Sequence, residues 1–249
     1  MLLLKAMEEV WDSHFHFSLS RNGNPTLVEV NGILCTVSVT ECLSILNMDR
    51  EFKGDIYLFL GAHPWYVEGL DIGKIREVLE RYRNSIFGLG EIGLDKRRGP
   101  NIKEQLAVLE QLFSMASQLA LPVNLHCVRA FSDMLSLLRD FSIPRVVVHS
   151  FSGSLFYLEK FLSEKNCFIS LSPFFLKRVD RLRELLSLLP LDRLLIETDY
   201  PYQAKDLKVW LDLLRLVARV KNYPEQDLLR LIKRNLLIVV GRYGSSESD

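Results

Sequence analysis

Two histidines, His14 and His16, stand one residue apart near the beginning of the chain. Successive residues of a β-strand point to opposite faces, so a strand that contains both would present two imidazoles side by side. Two imidazoles on one face can bind one metal ion. Further histidines and carboxylates follow at the downstream ends of apolar runs: His63, Glu91, His126, His149 and Asp199. This distribution indicates a metal centre assembled from many strands.

These residue types suit the chemistry of divalent metals. Neutral imidazoles and carboxylates bind borderline cations such as Zn²⁺, Mn²⁺, Ni²⁺ or Co²⁺. Two cations held close together need an anion between them, and Glu91 is the candidate for that bridge. Ions about 3.5–4 Å apart lower the pKa of a bound water and bind the oxygens of a phosphoryl group. Asp199 is the candidate that accepts the proton of that water.

Other roles compete for the same residues. A single histidine after a strand is more often a hydrogen-bonded structural residue, but all five histidines of this chain fall at such positions. Asp12 lies two residues before His14 and is predicted to support that ligand rather than to react. Glu197 lies two residues before Asp199 and is predicted to orient a ligand or a water. A structural role inside the barrel is the alternative for Glu197. His63 is predicted to contact substrate, and capping of its strand is the alternative.

The segments that must position these residues alternate between short apolar runs and helical patterns, which is typical of a parallel sheet. We predict eight strands: Val10–His16, Ile33–Val39, Ile56–His63, Ile86–Gly93, Pro122–Cys127, Arg145–Ser150, Cys167–Ser172 and Leu194–Asp199. The predicted helices are Asp71–Tyr82, Asn101–Ala120, Phe131–Phe141, Leu155–Ser163, Arg178–Leu189, Leu207–Val220 and Pro224–Val240. These patterns favour an α/β fold, a single (β/α)₈ TIM-type barrel, over an open doubly wound sheet. Catalytic groups of such a barrel project from the carboxyl ends of its strands.

One domain is predicted over residues 1–243, because 249 residues suit one α/β barrel and no linker or repeat interrupts the pattern. Its first crossover is predicted to be irregular, since Phe17–Gly32 contains an Asn-Gly-Asn-Pro turn signal and no helical stripe. Residues 244–249 follow Gly241, which ends the last predicted helix, and are predicted to form a disordered tail.

Composition narrows the class of protein. The 31 basic and 31 acidic residues cancel, which argues against a strongly basic protein that wraps nucleic acid. The four cysteines are scattered without a CxxC pair, so buried thiols in a reducing compartment are predicted. The chain has no apolar stretch of 18 residues and no signal-peptide layout, and we expect a cytoplasmic enzyme without a membrane partner.

Two common catalytic motifs are missing from the sequence. It contains neither a GxxxxGK[ST] phosphate loop nor a GxSxG serine elbow, which argues against a nucleotide triphosphate site and a serine hydrolase.

The chain resembles the TatD-type metal-dependent deoxyribonucleases of the amidohydrolase-like barrel superfamily. Six motifs in the family's order carry the resemblance: DSHFH at 12–16, GAHP at 61–64, GEIGLD at 90–95, LHC at 125–127, HSFSGS at 149–154 and ETDYP at 197–201. HxH alone is weakly specific, whereas GEIGLD, HSFSGS and ETD together are strongly specific. The resemblance covers roughly residues 10–240 and implies hydrolysis of DNA phosphodiester bonds, often from a 3′ end.

The resemblance also implies a site of two divalent ions, drawn from Zn²⁺, Mn²⁺, Mg²⁺, Ni²⁺ and Co²⁺. The implied ligands in chain order are His14, His16, Glu91, His126, His149 and Asp199. One ion would be held by His14, His16 and Asp199. The other would be held by His126 and His149, and Glu91 would bridge the two ions. Arg98, three residues past Asp95, is implied to face a phosphate.

The segments that would face the substrate depart from the family pattern. Trp65 stands where the family often has a second histidine after GxHP. Arg129, a predicted phosphate contact, is shifted by one residue from the arginine of the common HSR stretch. After Pro201 the chain soon enters a predicted helix, where many relatives carry a long basic loop.

The predicted substrate is therefore DNA or a small phosphoester, with a monomer favoured over an oligomer. Hydrolysis of a small amide, ester or lactone at the same metals is the first alternative. A non-catalytic barrel that binds a partner is the second.

Overall fold

Eight parallel strands form one sheet in which each strand pairs with the next strand along the chain. The computed structural model describes residues 10–17, 30–48, 54–164, 166–206 and 208–243. The strands are β1 (Trp11–Phe15), β2 (Asn31–Cys35), β3 (Ile56–Ala62), β4 (Ile86–Asp95), β5 (Val123–Val128), β6 (Val146–Val148), β7 (Cys167–Leu171) and β8 (Leu194–Ile196). Each of them overlaps one of the eight predicted runs.

Backbone hydrogen bonds bring the segment after β8 back to β1. The amide of Asp199 donates to the carbonyl oxygen of His14 at 3.0 Å, and the amide of His16 donates to that of Tyr200 at 2.8 Å. The sheet is therefore nearly closed into a (β/α)₈ barrel of the TIM type. The predicted fold is confirmed, and the open doubly wound alternative is wrong.

Helices cover the outside of the barrel. Within the described ranges they are α1 (Val39–Leu46), α2 (Ile72–Arg81), α3 (Ile102–Leu119), α4 (Phe131–Leu138), α5 (Leu155–Ser163), α6 (Val179–Leu188), α7 (Lys208–Lys221) and α8 (Glu225–Val239). Short 3₁₀ helices span Pro64–Tyr66, Pro173–Lys177 and Leu191–Arg193. None of the helices in the described part of the chain is long and apolar enough to cross a membrane.

Local sequence sets the bounds of these helices. In α3, for example, the side chain of Asn101 accepts hydrogen bonds from the amides of Lys103 and Glu104, which caps two of the free donors at the helix start. The apolar stripe of α3, including Leu109 and Phe113, is buried against the sheet. The helix ends at Ala120, whose backbone adopts a left-handed conformation with φ 53°.

Helix α1 was not predicted, and the strand prediction Ile33–Val39 ran too far. The strand ends at Cys35, and Ser38 begins the helix by accepting a hydrogen bond from the amide of Glu41 at 3.2 Å. The carboxylate of Glu41 in turn accepts from the amide of Val37 at 2.6 Å. This S-x-x-E pattern is a capping signal for a helix start. The prediction missed it because the apolar residues on either side of Ser38 fit a continued strand.

Two predictions fall on residues outside the described ranges. The irregular first crossover rests mainly on residues 18–29, and the disordered tail on residues 244–249. Both stay predictions.

The polar residues of the interior are gathered at one end of the barrel. Strand β6, at the barrel wall, is at most 1% exposed over its length. Apart from Gln105 and Asn235, the buried polar side chains of the described residues lie on strands or just after their carboxyl ends. Since burying a polar group without a partner is costly, this end of the barrel must satisfy these groups mutually or through a ligand.

Gly93 allows β4 and β5 to approach closely beside His126. Its φ is +150°, and a Cβ there would lie 2.0 Å from the backbone oxygen of His126. Gly93→Ala is expected to lower the free energy of unfolding by about 3 kcal/mol or more, because backbone strain and overpacking add. Chemical denaturation measures this. Gly69→Ala, where φ is +68° and no atom lies within 4 Å of the added Cβ, is the control and should cost about 1 kcal/mol. Equal costs would contradict the steric account.

Candidate metal centre

The predicted ligands meet at the carboxyl end of the barrel, because they come from β1, β4 and β5 and from the segments that follow β1, β6 and β8. Five are at most 8% exposed: His14, His16, Glu91, His149 and Asp199. The side chain of His126 is 12% exposed. A cavity of about 150 Å³ opens onto this cluster, and its wall consists of Val37, His63, Trp65, Tyr66, Glu91, His126, His149, Asp199 and Tyr202.

Glu91 lies between two groups of imidazoles. Its Oε2 is 3.5 Å from Nε2 of His14 and 3.2 Å from Nε2 of His16. Its Oε1 is 2.6 Å from Nδ1 of His126 and 2.9 Å from Nε2 of His149. The two oxygens of one carboxylate therefore face different pairs of nitrogens.

Asp199 lies near the first group of imidazoles, those of His14 and His16. Its Oδ1 is 3.9 Å from Nε2 of His14 and 3.7 Å from Nε2 of His16. Its other oxygen, Oδ2, accepts a hydrogen bond from Nε2 of Gln203 at 2.8 Å, and the same nitrogen donates to Oγ of Ser150 at 2.9 Å. Gln203 therefore holds one oxygen of Asp199 and leaves the other facing the histidines.

The hydrogen bonds of Asn124 determine which nitrogen of His14 carries the proton. The amide nitrogen of Asn124 donates to the carbonyl oxygen of Ser13 at 3.0 Å, so its Oδ1 is the atom that faces Nδ1 of His14 at 3.0 Å. An amide oxygen only accepts, hence Nδ1 of His14 donates and Nε2 keeps its lone pair. That lone pair is directed toward Nε2 of His16, 3.0 Å away.

In the second group each imidazole lies between two carboxylates. Nδ1 of His149 is 3.3 Å from Glu197 and Nε2 of His126 is 3.3 Å from Asp95, while the other ring nitrogen of each faces Oε1 of Glu91. Carboxylates only accept, so each protonated ring donates on both sides, and a bound ion would replace the proton that faces Glu91. The two nitrogens that face Glu91 are 3.3 Å apart. Carboxylates that orient histidines in this way are typical of metal sites.

His63 differs from the other histidines. Its Nδ1 accepts a hydrogen bond from the amide of Trp65 at 3.2 Å, so Nε2 carries the proton. That Nε2 lies 3.2 Å from Oε1 of Glu91 and donates to it. Burial lowers the pKa of His63, which keeps the ring neutral near pH 7. His63 thus presents a donor at the cavity wall, although it lies close enough to Glu91 and His126 to join a metal cluster.

The charges of the cluster favour cations. Burial alone lowers the pKa of His149, but Glu91 and Glu197 more than reverse this and raise it well above its usual value. Burial alone raises the pKa of Glu91, but His149 and His126 hold it well below its usual value. The carboxylates at this end of the barrel therefore attract positive charge strongly, whether it comes as protons or as metal ions.

Asp12 lies behind the cluster and not at the cavity wall. Its Oδ1 accepts from the amides of His14, at 3.1 Å, and Thr198, at 3.0 Å, and its Oδ2 accepts from the hydroxyl of Thr198 at 2.5 Å. Burial raises the pKa of Asp12 to about 8, against the opposing effect of these donors. Asp12 thereby connects the strand that carries His14 to the segment that carries Asp199.

The two arginines predicted to bind phosphate lie outside the cavity wall as the described residues define it. The guanidinium carbon of Arg98 is 4.4 Å from the ring centroid of Trp65, which does line the cavity. Arg129 is exposed just after β5, in a left-handed conformation with φ 55°. The structure thus connects Arg98 to the site through a stacked ring and gives Arg129 no contact with the cavity wall among the described residues.

Sequence reasoning did not select several residues that shape the site. Asn124 lies two residues before His126, so the alternation of the strand put it on the same face and could have indicated it. Asp95 ends β4, four residues after Glu91 on the same strand, and also accepts from Nε1 of Trp65 at 2.7 Å. Gln203 lies in an irregular segment after β8, and no spacing signal pointed to it.

The donor set fits divalent ions. His14, His16 and Asp199 form one group whose ligand atoms all lie within 4.8 Å of one another, and His14, Glu91 and His149 form another. Nitrogen and carboxylate oxygen donors of this kind suit Zn²⁺ and Mn²⁺.

Comparison with known proteins identifies the family. The profile of the family described as TatD related DNase matches residues 11–240. A 3'-5' ssDNA/RNA exonuclease TatD of Klebsiella pneumoniae is 38% identical over 187 residues, which cover 72% of this chain and 70% of that protein. An uncharacterized metal-dependent hydrolase of Haemophilus influenzae is 28% identical over 245 residues, which cover 91% of this chain and 97% of that protein.

A solved structure shows the same fold. YjjV, a TatD homologue of Escherichia coli, matches with a TM-score of 0.79 and 23% identity, over 94% of this chain and 98% of that chain. The family profile extends over nearly the whole barrel, from β1 to the end of α8. The chain therefore belongs to the TatD related DNase family.

Proposed function

We propose that this protein is a divalent-metal-dependent phosphodiesterase that cleaves DNA. The observation that carries the proposal is the position of Glu91, whose two carboxylate oxygens face separate pairs of imidazole nitrogens. A carboxylate in that position would bridge two ions. The remaining ligands, divided between the ions, would be His14, His16 and Asp199 on one side and His126 and His149 on the other.

Bound ions would supply Lewis-acid polarisation of the phosphoryl oxygens and acidify a bound water. The residues of the chain provide the rest. Oδ1 of Asp199 would accept the proton of the attacking water, while Gln203 keeps Oδ2 of Asp199 occupied. His63 would donate from Nε2 toward Glu91 or a phosphate oxygen, and Arg98 and Arg129 would balance the phosphate charge from the rim.

Relatives support a nucleic-acid substrate. The Klebsiella pneumoniae protein is named a 3'-5' ssDNA/RNA exonuclease, and a zebrafish protein that is 25% identical over 220 residues is named a putative deoxyribonuclease. The names of these relatives give no support to hydrolysis of an amide or a lactone. We therefore favour attack on single-stranded DNA over the alternative.

The test is a substrate panel at fixed concentrations of Mn²⁺, Zn²⁺ or Mg²⁺. Single-stranded oligodeoxynucleotides and bis-p-nitrophenyl phosphate represent phosphodiesters, and p-nitrophenyl acetate with a set of lactones represents carbonyl substrates. We expect metal-dependent turnover of the phosphodiesters, which chelator abolishes. Activity on the carbonyl substrates alone would overturn the proposal.

Gln203→Leu is expected to lower kcat about tenfold with little change in stability, because Asp199 loses the donor that orients it. Gln203 is exposed, so the substitution removes little packing. Steady-state kinetics and thermal unfolding measure the two effects. Gln111→Leu is the matched control, since Gln111 is exposed on α3 and its side chain donates to its own helix backbone, at the carbonyl of Ala107. Equal kcat values in Gln203→Leu, Gln111→Leu and wild type would remove Gln203 from the mechanism.

We also propose a cytoplasmic location. All four cysteines are free and buried. Burial raises the pKa of Cys42 and of Cys167 to about 12, so both are thiols at neutral pH. Free, unreactive thiols are typical of proteins in a reducing compartment. Fractionation of the cell of origin with an antibody to the protein tests this, and recovery from an oxidising compartment would contradict it.

A further inference from the structure

Two exposed tyrosines stand at the mouth of the metal-centre cavity. Tyr202 is 69% exposed and Tyr66 is 60% exposed, and both contribute to the cavity wall. Tyr66 ends the short helix after β3, whereas Tyr202 lies in the turn after β8. Large aromatic side chains exposed beside a polar cavity are typical of a binding site.

The backbone of each tyrosine is anchored to a residue of the metal-centre cavity. The amide of Tyr66 donates to the carbonyl oxygen of His63 at 2.9 Å. The amide of Tyr202 donates to the carbonyl oxygen of Asp199 at 2.8 Å. Both rings are therefore positioned relative to the cluster by tight turns, which lowers the entropy lost when they bind a ligand.

Both rings are largely exposed, and their contacts with neighbouring rings are edge-on or tilted. The ring of Tyr202 contacts that of His16 at 5.0 Å with an interplanar angle of 78°, and the ring of Tyr66 contacts that of His63 at 5.9 Å with an angle of 48°. Within the described ranges neither tyrosine is stacked parallel on another ring. Trp65, which also lines the cavity, is by contrast already covered by Arg98.

The ligand that matches this arrangement is flat and aromatic and is joined to an anion. A nucleotide has both features, because its base has two π-faces and its phosphate would lie at the metal centre. An aliphatic phosphoester has no part that would cover the tyrosines. Base–aromatic stacking tolerates any base, since every base offers a π-face.

We propose that Tyr66 and Tyr202 form a stacking subsite for the nucleobase adjoining the scissile phosphate. The inference rests on the proposed phosphodiesterase function and adds a requirement for a base. The protein thus discriminates nucleotides from aliphatic phosphodiesters by stacking, without reading the base sequence. Arg98, held against Trp65, provides a cation at the same edge of the cavity.

The first test compares two single-stranded oligodeoxynucleotides that differ only at the 3′-terminal residue, which carries a base in one and an abasic tetrahydrofuran in the other. We expect the wild-type kcat/KM to be about tenfold or more higher for the base-bearing strand. Tyr66→Leu and Tyr202→Leu should each bring this ratio toward 1, mainly through KM. Tyr66→Phe and Tyr202→Phe should restore it, because phenylalanine keeps the ring.

A matched control is available outside the cavity. Phe156 on α5 is also 60% exposed but does not belong to the cavity wall, so Phe156→Leu should keep the wild-type ratio. A wild-type ratio near 1 would overturn the subsite. So would leucine variants that keep the wild-type ratio.

The second test does not depend on turnover. A strand that ends in 2-aminopurine behind a hydrolysis-resistant phosphorothioate is titrated with protein, with and without divalent metal, and its fluorescence is followed. Stacking on the tyrosines should quench the fluorescence, and the leucine variants should lose most of that quenching. Wild-type protein that leaves the fluorescence unchanged under both conditions would overturn the subsite. Quenching by a protein that hydrolyses no phosphodiester would instead overturn the proposed function and retain the subsite.

Discussion

Replacing Glu91 by glutamine is expected to lower metal-dependent hydrolysis of bis-p-nitrophenyl phosphate about a thousandfold or more. The amide keeps the shape of the side chain but removes the negative charge that faces His14 and His16 on one side and His126 and His149 on the other. Two cations without an anion between them repel each other, and loss of metal assistance costs several kcal/mol, or about 4 kcal/mol for a thousandfold effect. Kinetics at increasing metal concentration, together with metal analysis, measure the loss.

The fold should survive this substitution. The imidazoles around residue 91 can release protons when the carboxylate is gone, so no buried charge need stay unpaired. Circular dichroism and a cooperative thermal transition check this. Glu77→Gln is the matched control, because Glu77 lies on α2 with a side chain that is 57% exposed and pairs with Lys74. Two bound ions and a rate within tenfold of wild type in Glu91→Gln would show that Glu91 is not the bridge.

The fold was largely predictable because a buried parallel strand has a simple sequence signature. Strand β6 consists of three valines, Val146–Val148, and the helices between strands carry clear apolar stripes. The predicted (β/α)₈ barrel and the predicted family are both confirmed. The failure at α1 has a local cause: Val37 and Val39 extend the apolar run of β2, while the capping interaction of Ser38 that ends it has a much weaker signal.

The position of the site was predictable for a topological reason. Parallel strands in a closed barrel bring their carboxyl ends together, so polar residues at the ends of different strands must become neighbours. His14, Glu91 and His149 come from three strands and lie within one cluster. Their roles as metal ligands stay predictions, which the experiments on metal content decide.

The orientation of the side chains was not predictable in the same way. Whether His63 offers a proton or a lone pair depends on the amide of Trp65, and the tautomer of His14 depends on Asn124, which is 110 residues away in the chain. Such choices arise from three-dimensional contacts that spacing does not encode. The same holds for Gln203, whose contact with Asp199 depends on the path of one irregular turn.

Chelation followed by reloading is expected to remove and restore both activity and stability. Wild-type protein should bind two divalent ions per chain, lose hydrolysis to background in chelator, and regain it with added metal. At a free metal concentration of about 100 times Kd, each bound ion stabilises the fold by about 2.7 kcal/mol, and each therefore raises Tm by roughly 5–10 °C for a chain of this size. His14→Ala and His126→Ala remove ligands on opposite sides of Glu91, so each should retain one ion while losing most of the activity. If both variants still bind two ions, the proposed division of ligands is wrong, because neither histidine would then be needed to hold an ion.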